Sequence, residues 1–400
     1  MKKFNWNLCA DSFGFFDKIK ISKFLFTEKK WTYGEWVKKY ESKWSQYLGG
    51  TPVVMVSSGS TANEMIALRR KWELQQSGNW PKKNKVVAPV NTWISSVTPW
   101  IHAGYEIVFS DVSENNFNIY SNHLKEIFAK DKNKEIGTVF YTALLGFFGD
   151  LHECKRLTEE HGARFLMDNC EASFSEIYQD SKESDENIKL MNFSTSSTSI
   201  FYSHFTTSGT EGGLIACETE EEADWFRMFR SHGLTRGMPE KYKNKKVDPM
   251  FDFALLGSNY RSSNLQAYMA LLDFDRSLKW SENNRSTILQ TLINELTSIA
   301  SDKFTSFHQI GGKVVPLAIP IIAKNKDLRI KAEKFCKENG IETRPIIAGC
   351  LCEHTAFKGM CSSKNFPISM KAHRNGFYIG LNKNITVEMA KELSKELSKL

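Results

Sequence analysis

Short apolar runs rich in β-branched residues alternate with longer stretches of helical periodicity through the first two thirds of the chain. The runs predict strands at residues 53–56, 85–88, 106–109, 138–141, 164–167, 199–202 and 214–217. Apolar positions between several of them recur at helical spacing and predict helices at residues 62–73, 124–130, 151–161 and 220–231. Strands that alternate with helices are typical of an α/β fold with a large, mostly parallel sheet, in which ligands bind at the carboxyl ends of the strands.

A helix start signal and a stripe of aromatic residues precede this region. Thr32 and Glu35 have the spacing of a capping box, in which each side chain accepts a hydrogen bond from the backbone N–H of the other residue. Behind them, Trp36, Tyr40 and Trp44 recur at helical spacing. We interpret this stripe as a packing face rather than as a ligand site.

The hydrophobic pattern changes beyond about Arg276. A long helical stretch covers residues 277–301, and shorter strand and helix patterns follow at residues 313–322, 328–339, 341–347 and from Val387 onward. We therefore expect two domains. An N-terminal segment and a large α/β domain would occupy residues 1–276, and a connector helix with a smaller α+β domain would occupy residues 277–400.

Composition and charge narrow the class of protein. Of the 400 residues, 41% are hydrophobic and 25% are charged, which favours a folded chain with a large core over a disordered one. A net charge of +7 suits either a solvated, lysine-rich surface or the attraction of a diphosphate-bearing substrate. The sequence contains no arginine-rich patch interleaved with aromatic residues, so we expect no nucleic-acid partner.

The N-terminal residues contain no apolar signal core, and the longest apolar run, residues 314–323, is far shorter than the ~20 residues of a membrane span. We therefore expect a cytoplasmic protein with no membrane partner.

The eight cysteines form no C-x-x-C motif, which favours free thiols in a reducing compartment. Cys350, Cys352 and Cys361 raise the hypothesis of a zinc or iron–sulfur site, but a fourth ligand is not evident, and we expect no metal.

Several polar residues fall where strands are predicted to end. Residues 57–63 follow one strand and open a helix, so that Gly59, Ser60 and Thr61 either bind a phosphate at the helix N-terminus or only cap the helix. Asp168 ends another strand, where its carboxylate can pair with a protonated ring nitrogen or cap the following segment. Trp93 follows a predicted strand and turn, and its indole can stack on a flat heterocycle or fill the core.

These segments belong to a longer series of motifs at residues 58–63, 92–93, 168–172, 203–213, 230–233, 257–261, 342–345 and 376–380. Their types and order resemble the DegT/DnrJ/EryC1/StrS family of pyridoxal-phosphate (PLP)-dependent sugar aminotransferases, and in particular its dehydratase branch. The resemblance covers residues from about 50 to 390. It implies the PLP-dependent transferase fold of aspartate aminotransferase, known as fold type I, with the cofactor bound by the large domain.

His204 is the most informative departure from an aminotransferase. Residues 199–204 resemble the segment that carries the cofactor-binding lysine, with His204 at the lysine position, and no lysine occurs between Lys189 and Lys241. A lysine forms a covalent imine with PLP, and an imidazole cannot. The resemblance therefore implies a noncovalently held cofactor and a general base, His204, rather than an amine nucleophile. Its unperturbed pKa of ~6.5 suits that task near neutral pH.

The resemblance also implies roles for the matched residues. At the cofactor phosphate and ring it places Gly59, Ser60, Thr61, Ser199, Trp93, Asp168 and Glu171, with Asp168 at the pyridine nitrogen and Glu171 near the ring hydroxyl. Asn259 would reach the phosphate bound by a neighbouring subunit, which makes the expected active unit a homodimer with shared sites. Arg261 would bind the carboxylate of an amino donor, and His232 and Tyr202 are candidates for contact with substrate.

The implied reaction is the 3-dehydration of a nucleotide-linked 4-keto-6-deoxyhexose to a 4-keto-3,6-dideoxyhexose. Glutamate would convert PLP into pyridoxamine phosphate (PMP), the amine form of the cofactor. Dehydratases of this branch read His-His-x-Thr-Thr-x-Glu-Gly-Gly, whereas here Phe205 replaces the second histidine and one extra residue separates His204 from Glu211. We therefore expect a reshaped turn after the base.

Three other functions stay open, as do the nucleotide and the sugar configuration. A CDP-sugar 3-dehydrase that needs an iron–sulfur reductase partner is favoured by the cysteines near residue 350. A nucleotide-sugar aminotransferase would need a lysine distant in sequence. A lysine-less homologue could instead act as a non-catalytic PLP-binding or regulatory protein.

Overall fold

The structure is a computed structural model that describes residues 3–179, 187–305 and 311–400. Its helices are α1 (Phe15–Thr27), α2 (Glu35–Tyr47), α3 (Gly59–Gln76), α4 (Thr98–His102), α5 (Ser121–Lys130), α6 (Leu151–Glu160), α7 (Glu220–Phe229), α8 (Asn264–Ala300), α9 (Lys326–Glu338), α10 (Pro367–Asn375) and α11 (Val387–Leu397). Its strands are β1 (Val53–Val56), β2 (Lys85–Pro89), β3 (Glu106–Ser110), β4 (Ile136–Thr142), β5 (Arg164–Asp168), β6 (Glu176–Tyr178), β7 (Asn187–Lys189), β8 (Ser196–Ser199), β9 (Gly213–Ala216), β10 (Phe304–Thr305), β11 (Gly312–Lys313), β12 (Ala318–Ala323), β13 (Thr343–Pro345) and β14 (Gly376–Gly380).

The chain divides into two compact units, each made of separate segments. The first unit comprises Met1–Asp11, Lys82–Leu190 and Arg276–Leu400, and the second comprises Ser12–Pro81 and Met191–Asp275. The predicted division at residue 276 would instead split the chain into two continuous domains, and it stays a prediction.

Parallel strands form the centre of the first unit, in the order β5-β4-β2-β3. Every residue of β4 is buried, as expected for a central parallel strand covered on both faces. The same unit contains an antiparallel sheet with the order β10-β12-β14-β13 near the C-terminus. Helices α9 and α10 pack against β12 and β14.

In the second unit, β9 pairs in antiparallel fashion with both β1 and β8. Helix α3 packs on β8 and β9, and α2 packs on β1. The aromatic stripe of α2 is a packing face, as predicted, because Tyr40 and Trp44 are fully buried and the ring of Trp44 lies 5.1 Å from that of Phe274.

Two local predictions were wrong. Helix α2 has Gly34 as its N-cap and no capping box, because Asn264 accepts a hydrogen bond from the Trp36 N–H across 228 positions of sequence. The strand expected at residues 199–202 lies at Ser196–Ser199 instead. Its hydroxyl side chains are buried and satisfied, with Ser196 donating to the Met191 carbonyl and Ser197 bonded to Asn63. Such pairing lets a serine-rich segment form an interior strand.

Within the residues that the structure describes, we find no helix with both the length and the apolar character that crossing a bilayer requires.

Candidate active site

The N-terminus of α3 in the second unit is built as an anion cradle. The Ser58 hydroxyl accepts the Thr61 N–H at 3.1 Å, and the Thr61 hydroxyl accepts the Ser58 N–H at 2.9 Å, which is a reciprocal capping box. This box leaves the N–H groups of Gly59 and Ser60 without an acceptor in the described part of the chain. Free N–H groups at the positive end of an 18-residue helix favour a bound phosphate.

Strand register brings Ser199 to the same edge as this cradle. Gly213 of β9 faces both Val56, the last residue of β1, and Ser199, the last residue of β8. A Cβ atom on Gly213 would lie 2.3 Å from the carbonyl oxygen of Ser58, so only glycine permits this close approach. Gly213 of the Glu-Gly-Gly motif is thus explained by packing, and the last residues of β1 and β8 lie on either side of it.

His204 lies in a turn that directly follows β8. Its N–H donates to the Phe201 carbonyl at 3.0 Å, and its ring meets the Phe201 ring edge-on at 6.2 Å. The imidazole is partly buried, whereas Tyr202 is exposed. Phe205, which departs from the family pattern, is buried in the unit. The loop then continues through Gly209, whose φ of +71° is in the left-handed region that favours glycine.

The motifs at residues 230–233 and 257–261 lie side by side. Ser231 and Asn259 form an antiparallel bridge, and Arg261 forms another with Val56 at the end of β1. The Ser57 N–H donates to the Tyr260 carbonyl at 2.9 Å. Asn259 and Arg261 therefore adjoin the segment that leads into the cradle.

His232 is exposed and has a φ of +65°, and its N–H donates to the Ser258 carbonyl at 2.8 Å. A non-glycine residue in the left-handed region is held there by its surroundings. The backbone explains its position in the loop, and a substrate contact for its imidazole stays a prediction.

The residues predicted to bind the cofactor ring lie in the first unit. Asp168 is buried at the carboxyl end of β5, where it accepts hydrogen bonds from the Ser96 hydroxyl at 2.8 Å and the Cys170 N–H at 3.0 Å. Trp93 lies three residues before Ser96, and 55% of its surface is exposed. An exposed indole three residues from the serine that holds a buried carboxylate would suit a flat, cationic heterocycle.

Glu171 is surrounded by protein although part of its surface stays accessible. Loss of solvation raises the pKa of its carboxyl group to about 8, a hydrogen bond from the Leu145 N–H opposes this shift, and the negative charge of Asp168 adds to it. Leu145 itself adopts a φ of +54° beside Gly146, where a Cβ atom would strike the Glu171 carbonyl. The backbone of this turn is therefore shaped around Glu171.

The raised pKa of Glu171 predicts a pH dependence of stability. Between its ordinary value of 4.5 and about 8, the folded state holds a proton that the unfolded state releases. The contribution of Glu171 to stability is therefore complete below about pH 4.5 and is lost as the pH rises through about 8. Relative to Glu171→Gln, the free energy of unfolding of the cofactor-free wild type should fall over this window, by on the order of a few kcal/mol.

Urea unfolding at several pH values measures this difference, with exposed Glu126→Gln as the matched control that should follow the wild type. Parallel pH profiles for the wild type and Glu171→Gln would show that Glu171 titrates normally.

The expectation of free thiols was wrong for two of the cysteines. Cys352 and Cys361 form a disulfide, whereas Cys350 is a buried free thiol. The pair comes together because short 3₁₀ turns fold the intervening residues back on themselves. Since two of the three sulfurs are bonded to each other, this cluster gives no support to an iron–sulfur centre. Across the described ranges, no group of three or more His, Cys, Asp or Glu side chains could hold a metal ion.

Two contacts in the first unit were not predicted from the sequence. Ser96 holds Asp168, and the Leu145 N–H holds Glu171. The serine is 72 positions from its partner and carries no motif, and the second donor is a backbone group. The signal in the sequence that could have indicated Ser96 is its position three residues after Trp93.

Comparison with known proteins places these residues in context. The sequence profile of the DegT/DnrJ/EryC1/StrS aminotransferase family matches residues 18–398. The GDP-4-keto-6-deoxy-D-mannose 3-dehydratase of Yersinia pseudotuberculosis is 29% identical over 80% of this chain and 78% of its own length. The enzyme of the same name from Escherichia coli O55:H7 is 25% identical over 94% of each chain.

A solved structure of the E. coli dehydratase, with bound hydrated PLP, superimposes with a TM-score of 0.83 at 21% identity, over 98% of this chain and 99% of that one. This similarity confirms the predicted fold class. The resemblance to the family and to its dehydratase branch is confirmed as well.

Proposed function

Because the chain belongs to the DegT/DnrJ/EryC1/StrS aminotransferase family, we propose that it is a PLP/PMP-dependent lyase that removes the 3-hydroxyl of a nucleotide-linked 4-keto-6-deoxyhexose. The observation that carries this proposal is the position of His204. A histidine, and not a lysine, follows β8 at the edge where Ser199 and the α3 cradle meet. The names of the two relatives favour GDP-4-keto-6-deoxy-D-mannose as the first substrate to test.

The residues present fit PLP and PMP in their chemistry. The unpaired N–H groups of Gly59 and Ser60 suit the phosphate, and we assign the hydroxyls of Thr61 and Ser199 to the same group. Trp93 would stack on the ring. The Asp168 carboxylate would accept a hydrogen bond from the protonated pyridine nitrogen, and Glu171, protonated near neutral pH, would donate to the ring hydroxyl.

The bound cofactor supplies an amine that condenses with the sugar ketone and a ring that accepts electrons. His204 would take a proton at the C4′ carbon of the cofactor, a general-base role that imidazoles commonly fill. Asp168 would hydrogen-bond the protonated ring nitrogen. Without a lysine at this position, no amine follows β8 to form an imine with that carbon, which favours loss of the 3-hydroxyl over amino transfer.

Substrate and amino donor require their own contacts. Glutamate is the proposed donor that converts PLP to PMP, and Arg261 would bind its carboxylate. Tyr202 and His232 are exposed in the second unit and would contact the nucleotide sugar. A 4-keto-3,6-dideoxy sugar nucleotide is the product, and we expect the reaction to be cytoplasmic.

We also propose a homodimer in which Asn259 reaches the phosphate bound by the partner subunit. An exposed apolar segment supports this assembly. Phe251 and Phe253 are 66% and 55% exposed, and Leu256 is fully exposed three residues before Asn259. Large apolar side chains clustered on a surface mark a protein interface. Sedimentation of the PLP-loaded protein would show a dimer.

The function is tested by mass spectrometry after incubation with PLP, glutamate and 4-keto-6-deoxyhexoses linked to GDP, CDP or dTDP. We expect one nucleotide series to yield a product lighter by one oxygen atom, with 2-oxoglutarate formed from glutamate. Replacement of the ketone by an amino group would identify an aminotransferase, and failure of all three series to react would contradict the proposal.

A further inference from the structure

Ser96 has a role that the sequence did not indicate. Its hydroxyl donates to Oδ2 of Asp168 at 2.8 Å, and only 1% of the serine surface is exposed. The other carboxylate oxygen, Oδ1, accepts the Cys170 N–H at 3.0 Å. Each oxygen of the carboxylate therefore has a donor of the first unit, one from a side chain and one from the backbone.

The segment that carries Ser96 is fixed at two neighbouring strand ends. The Thr92 hydroxyl donates to the Thr142 hydroxyl at 3.3 Å, and both threonines are buried. Thr142 ends β4 and Asp168 ends β5, and the two residues face each other in the parallel register. Residues 92–96 thus span the carboxyl ends of both strands, with Trp93 between the two contacts.

We propose that Ser96 is a positioning residue that orients the Asp168 carboxylate and holds it in register with Trp93. This inference rests on the proposed function, because Asp168 is the proposed partner of the cofactor ring nitrogen. A hydroxyl that donates to a carboxylate forms a strong, charge-assisted hydrogen bond, which fixes the rotation of the side chain.

An acidic neighbour makes the orientation of Asp168 more important. Glu171 lies close enough for the Asp168 charge to raise its pKa, so the two carboxyl groups repel each other when both are ionised. The donors from Ser96 and Cys170 hold the Asp168 carboxylate in one orientation against this repulsion.

The test compares PLP binding by Ser96→Ala, Ser96→Thr and the wild type, followed by absorbance of the bound cofactor. We expect Ser96→Ala to raise the Kd for PLP by about 10-fold or more, the range for loss of a hydrogen bond to a charged group. The absorbance spectrum of the bound cofactor should also change, because the carboxylate proposed to face its ring nitrogen is no longer held in place. Ser96→Thr retains the hydroxyl and should restore both properties.

Thr98→Ala is the matched control, since the Thr98 hydroxyl donates to the Ile94 carbonyl in the same segment and makes no contact with Asp168 in the described structure. Thermal unfolding of the cofactor-free variants checks their fold. An unchanged Kd and an unchanged spectrum of bound PLP in a folded Ser96→Ala protein would overturn the inference. If Ser96→Ala and Ser96→Gly both unfold, the inference would also be overturned, because the hydroxyl would then be needed for folding. A wild type that binds no PLP would instead contradict the proposed function itself.

Discussion

The His204→Ala variant is expected to bind PLP as the wild type does and to lose dehydration by roughly 10²–10⁴-fold, the usual contribution of a general base. Binding is retained because the proposed phosphate and ring contacts come from other residues. The rate falls because the imidazole is the group proposed to move the proton at the C4′ carbon. Single-turnover kinetics with a 4-keto-6-deoxy sugar nucleotide, beside a PLP titration, measure both properties.

An exposed histidine elsewhere supplies the control. His102 ends α4 on the surface, and His102→Ala should keep the wild-type rate. His204→Lys should gain a covalent link to PLP that borohydride makes permanent. A His204→Ala protein that turns over normally, or that no longer binds PLP, would remove the assignment of His204 as the base.

Asp168→Asn is expected to lower the rate of dehydration by about 10²–10³-fold, by analogy with removal of one electrostatic group from a preorganised site. The amide keeps the shape of the side chain and loses the charge proposed to hold the ring nitrogen protonated. Asp168 is buried, so water would replace the missing interaction poorly. The absorbance of bound cofactor should change as well, because the proposed partner of its ring N–H has lost its charge.

Asp302→Asn, at an exposed position, is the control for loss of an aspartate and should behave as the wild type. The account would be contradicted if Asp168→Asn retained both the wild-type rate and the wild-type spectrum.

Much of the fold follows from local pattern. The apolar runs located β1, β2, β3 and β5 to within a residue or two, because each of these strands is a short, nearly continuous apolar sequence. The helix start at residues 58–61 and the strand-ending Asp168 could be identified because caps and strand ends have short, local signatures.

The remaining features depend on contacts between distant residues. Asn264 caps α2 from far along the chain, and Ser96 meets Asp168 only because β4 and β5 are neighbours. The true position of β8 depends on partners such as Met191 and Asn63, which satisfy its buried hydroxyls. The pKa of Glu171 results from burial, which no local motif encodes.

We propose that an imidazole, and not a primary amine of the chain, faces a noncovalently bound cofactor. Borohydride reduction of the PLP-loaded wild type, followed by intact-protein mass spectrometry, distinguishes the two. We expect the mass of the unmodified chain, together with free reduced cofactor. A chain that carries one pyridoxyl phosphate group on a lysine would show that an amine of the protein binds the cofactor covalently.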